Sequence, residues 1–152
     1  MQPQHEPVAK VNPSAILQSS IVAVLVFIFV DSALEYLVRG ISGTTVLHTF
    51  GQQEQRTYGM HFHAVNLGLF AAEVCLMMTF YALIRPRFGS RLPAAFIAAA
   101  VNLLLLALFL GQIVNLGIYP LRVALLFLAT TVPSSMVSVL AGALVYDRAA
   151  ND

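Results

Sequence analysis

The sequence predicts an all-α integral membrane protein, a four-transmembrane-helix up-down bundle with both termini cytoplasmic. Three observations predict it. Of the 152 residues, 59% are hydrophobic and only 10% are charged, where soluble domains carry roughly a quarter charged residues. The apolar residues gather into four runs, about 14–38, 60–84, 92–116 and 121–146. Each meets the ~20 residues that a helix needs to cross a ~30 Å hydrocarbon core. Short polar punctuation separates the runs. A transmembrane barrel would show ~10-residue segments of alternating polarity instead, and the sequence has none. A water-soluble chain this apolar would expose patches that invite aggregation.

The first run follows Asn12, Pro13 and Ser14, a good helix start. Gly40 and Gly43 are expected to end it. The preceding stretch MQPQHEPVAK holds one lysine and one glutamate, and the run is long for a signal-peptide core. It reads as a retained helix. The outer loop, about 39–59, is long for a bundle connection, and such loops are usually functional or partner-bound. Its TTVLHTF portion, with His48, is amphipathic enough to lie at an interface. The tight turn Arg85–Pro93 joins helices two and three, and Gly117–Pro120 joins three and four. Short turns make successive helices antiparallel neighbours. Pro133 falls inside helix four, where a kink is expected. No internal repeat is evident, so residues 1–152 read as a single transmembrane domain.

Orientation follows from the basic residues. Lys10, Arg85, Arg87, Arg91 and Arg148 fall on one side, and Arg39, Arg56 and Arg122 on the other. The positive-inside rule puts the first group in the cytoplasm. The expected location is a bacterial inner (plasma) membrane. A net charge of +1, with basic residues scattered along the chain, gives nucleic acid no footprint. The lone Cys75 excludes an internal disulfide and reads as a small buried hydrophobe.

This topology sorts the polar residues by depth. Asp31 and Glu35 on helix one, His61, His63 and Asn66 on helix two, Gln112 and Asn115 on helix three, and Arg122 on helix four all fall in the outer third. The inner half reads as nearly bare. Glu73 and Asn102 lie nearer the middle, where a hydrogen-bonded Glu73 meeting Asn102 is the expected arrangement. At 100° per residue, Asp31, Glu35 and Arg39 share one face, and His63, Asn66 and Glu73 share another. Ala64, Gly68 and Ala72 form a separate ridge of small residues, a pattern that lets helices approach closely. Ser134, Ser138 and Gly142 repeat it on helix four.

Three functional readings compete. In the first, the polar residues are packing: Asp31 and Glu35 pair with Arg39 or Arg122, and the histidines bond to Asn66, Gln112 or Asn115. The chain is then a non-catalytic accessory or structural subunit of a larger membrane complex, with lipid, other subunits or a second copy as partners. In the second it is a small membrane enzyme or a metal- or haem-binding protein. Asp31, Glu35, His61 and His63 are oxygen and imidazole ligands suited to zinc or iron. The Glu-x-x-His helix pair of di-iron bundles is missing, and His-x-His diverges on a helix. In the third it is an oligomeric small-molecule or proton transporter. The run His61-Phe-His-Ala-Val-Asn66 resembles the histidine-asparagine helices of small four-helix membrane glutathione enzymes. The acidic and arginine positions that would complete that pattern are missing, so nothing is carried over from it. The sequence holds no G-x-S-x-G, H-E-x-x-H or phosphate-binding glycine loop.

Overall fold

The computed structural model describes residues 11–42 and 60–150, and the side chains of 39–42, 60–63 and 66 fall outside that description. The expected outer loop, His48 included, lies outside the described residues. Among the described residues the chain is all-helical, with α1 at Pro13–Ser42, α2 at Met60–Ile84, α3 at Arg91–Asn115 and α4 at Leu121–Ala149. A 3-10 turn, Arg85–Arg87, links α2 to α3. All four helices are long and apolar enough to cross a membrane.

The termini of these helices show how the local sequence sets their bounds. Asn12 Oδ1 accepts hydrogen bonds from the backbone N–H of Ser14 (3.1 Å) and Ala15 (3.3 Å). It thereby caps two of the donors that a helix start leaves open. Pro13 sits at the first helical position, where its missing N–H costs nothing. At the end of α3, Gly117 adopts a φ of 71°. Its N–H donates to Val114 O (3.0 Å), and the N–H of Ile118 donates to Ile113 O (3.1 Å). This pairing needs a left-handed residue, which glycine supplies without a Cβ clash. Pro120, in extended conformation, then starts α4.

Two boundaries differ from expectation. α1 continues through Gly40 to Ser42: a helical glycine costs ~1 kcal/mol but does not by itself stop a helix. α4 runs on to Ala149, so Asp147 and Arg148 belong to its last turn. Pro133 lies within α4 without ending it.

The most extensive contact joins α1 to α4, and α3 also packs on α4. Two contacts set the α1–α4 register. Ser134 Oγ donates to Asp31 Oδ1 at 3.2 Å, and a Cβ placed on Gly142 would lie 3.1 Å from Ala23 Cβ. From the first contact to the second, equal steps run in opposite directions along the two helices, so they are antiparallel. The start of α1, the end of α4 and the Arg85–Arg87 turn therefore share one end of the bundle, the near end. Asp31 lies towards the other, the far end.

Small residues fill the seam. Ala15, Ser19 and Ala23 on α1, and Ser134, Ser138 and Gly142 on α4, are all buried. Small side chains let the two backbones approach closely, the kind of packing that joins helices where no hydrophobic force draws them together. Hydroxyls in the seam bond back to their own helix: Ser19 to Ile16 O, Ser134 to Thr130 O and Ser138 to Ser135 O. Such bonding is the usual way a serine is tolerated in a dry interior. α3 presents Ala94, Ala95, Ala98 and Ala99 to the core. Many large apolar side chains point outward on every helix, with Phe29 and Tyr36 each 76% exposed, while Met78 and Tyr81 are fully buried.

Candidate functional site

Three polar groups emerge on this frame. The first is at the far end. Asp31 is half-buried on α1 and faces α4. Ser134 Oγ directs its proton between Asp31 Oδ1 (3.2 Å) and the Thr130 carbonyl (2.7 Å), and the Thr130 hydroxyl lies beside the same carboxyl group. Asp31 thus meets two hydroxyls of α4 and not Arg122; the Arg39 side chain, the other expected partner, lies outside the described residues. Glu35 is half-buried one turn further along α1. Gln112, Asn115 and Arg122 are exposed. Among the described residues, no side-chain hydrogen bond or ion pair joins any of the three to Asp31. His61, His63 and Asn66 lie on α2, but their side chains are outside the described residues. Among the described residues, no group of three or more His, Cys, Asp or Glu side chains could hold a metal ion.

The second group is at the near end, where the sequence reading left the bundle nearly bare. It is not bare. Tyr81 is fully buried and its hydroxyl donates to Asp147 Oδ1 at 2.9 Å. Arg85, one turn beyond Tyr81, donates from Nε to both carboxylate oxygens and from a terminal nitrogen to Oδ2, each at 3.2 Å. Its other terminal nitrogen donates to Phe88 O at 2.9 Å. One guanidinium therefore ties the end of α4 to the turn that follows α2, using the fork that only arginine has. The Tyr146 ring packs edge-on against Tyr81, with centroids 5.7 Å apart. This is a staple, with every strong donor directed at an acceptor. The sequence offered one hint, opposite charges at helix ends that share a side of the bundle.

The third group lies midway along α2 and α3. Glu73 and Asn102 line a groove of about 410 Å³ between the two helices, otherwise walled by apolar side chains. They face one space without a hydrogen bond between them, so the expected Glu73–Asn102 bond is not formed.

The two ridges of small residues have opposite fates. Ser134, Ser138 and Gly142 are buried against α1. Ala64, Gly68 and Ala72 are exposed, and a Cβ on Gly68 would meet nothing within 4 Å. Sequence reasoning also missed the Ala15/Ser19/Ala23 ridge on α1, which has the same four-residue spacing. Comparisons with known protein families, curated proteins and solved structures return no significant match.

Proposed function

We propose that the chain is an integral membrane protein of four spanning helices, with both termini cytoplasmic, that acts as a non-catalytic subunit of a larger assembly in a bacterial inner membrane. The observation that carries this reading is the outward-facing ridge Ala64/Gly68/Ala72. The three-member small-residue ridges on α1 and α4 are spent on helix contacts, whereas this ridge is open. Small residues facing lipid gain little, while facing another helix they permit close backbone approach. The polar groups fit the same reading. The near-end staple pairs its charges internally, and Asp31 bonds to hydroxyls, as structural polar groups do.

The test is purification of the full chain from its native membrane in mild detergent. A defined set of co-migrating proteins is expected, and Gly68→Leu should release them while leaving the helical content unchanged. A monodisperse chain with no partners, or an assembly indifferent to Gly68→Leu, would overturn the reading. Orientation is tested separately by thiol labelling in intact cells, with single cysteines at Arg87 and at Ile118 in a Cys75→Ser background. The residue 118 site should react with an impermeant reagent and the residue 87 site should not.

A further inference from the structure

The groove between α2 and α3 has a chemistry of its own, independent of the partner that the α2 ridge meets. Both of its walls come from single helix faces. Glu73, Met77 and Phe80 recur at helical spacing on α2, as do Asn102, Leu105 and Phe109 on α3. The helices are antiparallel about a short turn, so Glu73 and Asn102 lie at similar depth, near the middle of the proposed span. Ala98 supplies part of the floor, which leaves room that a larger side chain would fill. Among the described residues, neither Glu73 nor Asn102 has a side-chain hydrogen bond or ion pair.

That combination selects an occupant. An uncompensated carboxylate in hydrocarbon is costly, and so is an unpaired amide. Among the described residues no basic side chain lines the groove, so an anionic ligand would find no counter-charge there. The two phenylalanines offer π faces, which attract cations. The apolar walls exclude a small hydrated ion that cannot shed its water, but they accept an organic body. We infer that this groove binds a lipophilic organic cation, with its charge beside Glu73, its apolar groups against Phe80, Leu105 and Phe109, and the Asn102 carbonyl as a further acceptor. The groove opens from the side of the bundle, so such a ligand would enter from the lipid.

The test uses the purified full chain in detergent and tetraphenylphosphonium as the probe, with binding measured by equilibrium dialysis. Saturable binding is expected. Loss of the counter-charge in Glu73→Gln should weaken it by about tenfold or more, while Glu73→Asp should retain most of it. Leu105→Trp, which fills the groove, should abolish it. Circular dichroism on each variant shows that the helices are intact, and Glu73 is exposed enough for glutamine to replace it without repacking. The proposal is overturned by any of four results. These are no saturable binding, equal affinity in Glu73→Gln, unchanged affinity in Leu105→Trp, or equal affinity for uncharged triphenylphosphine oxide. Disulfide cross-linking between copies carrying Leu105→Cys, without cation uptake, would also overturn it and assign the groove to self-association.

Discussion

Tyr81 and Asp147 lie 66 positions apart in the chain, yet the tyrosine hydroxyl donates to the carboxylate at 2.9 Å. This bond joins α2 to α4, next to the Tyr81–Tyr146 ring contact and a turn along α2 from Met78, which packs against Gly142. Tyr81→Phe removes the donor and keeps the ring. A hydrogen bond to a charged acceptor contributes about 1.5–3 kcal/mol, so the variant should unfold at a lower SDS fraction by roughly that free energy. Tyr81→Ala also opens a cavity, for a loss of about 3–5 kcal/mol. Equal stability of wild type and Tyr81→Phe would show that the hydroxyl contributes nothing.

The Arg85–Asp147 pair should behave as more than a surface ion pair. Its side chains are only 27% and 17% exposed, and the guanidinium also satisfies the Phe88 carbonyl. A double-mutant cycle with Arg85→Ala and Asp147→Ala should give a coupling of about 1–2 kcal/mol, above the median for exposed pairs. Arg85→Lys keeps the charge but loses the fork, and should recover less than half of that coupling.

Two glycines of similar appearance should respond oppositely to alanine. At Gly142 the added methyl would lie 2.8 Å from Met78 Sδ and 3.1 Å from Ala23 Cβ. Met78 is fully buried and has little room to retreat, so Gly142→Ala should cost about 1–3 kcal/mol. At Gly68 the methyl meets nothing, and alanine is the better helix former by ~1 kcal/mol. Gly68→Ala should therefore leave the isolated chain as stable as wild type or more so. A stability ranking with Gly142→Ala above Gly68→Ala would contradict the packing of α4 described here.

Asp31 separates the structural reading from the metal reading. With Ser134 as its hydrogen-bond donor, Asp31→Asn keeps a polar group of the same shape and should change stability by less than about 1 kcal/mol. Metal analysis and a visible spectrum of the purified protein should then show no stoichiometric zinc, iron or haem. Tightly bound metal that is lost in His63→Ala would sink the structural reading and restore Asp31, Glu35, His61 and His63 as ligands.

The helices were legible in the sequence because hydropathy and punctuation are local properties. Asn12-Pro13 and Gly117-Ile-Tyr-Pro120 carry their own start and stop chemistry, and they sit at the expected places. Contacts between helices were less legible. The Ala64 and Ser134 ridges have the same spacing, yet one faces outward and the other is buried. Periodicity shows which residues share a face, but not which face meets a neighbour. The near-end staple was missed for a related reason. Arg85 reads locally as a charge that orients a loop, and Asp147 lies just past the apolar run. Only the antiparallel register of α4 brings the carboxylate back to Tyr81. Asp31 is expected to pair with an arginine, but among the described residues its partners are the Ser134 and Thr130 hydroxyls of α4.

The α1–α4 seam also bears on biogenesis. The first and the last of the described helices make the bundle's most extensive contact, so the ribosome must finish α4 before α1 gains its main neighbour. Until then Ser19 and Asp31, with Ala15 and Ala23, lack the α4 surface they pack against. Once α4 packs on α1, Ser19 is buried and Asp31 has Ser134 as its hydrogen-bond donor, so the seam ties the burial of early-made residues to the arrival of a late-made helix.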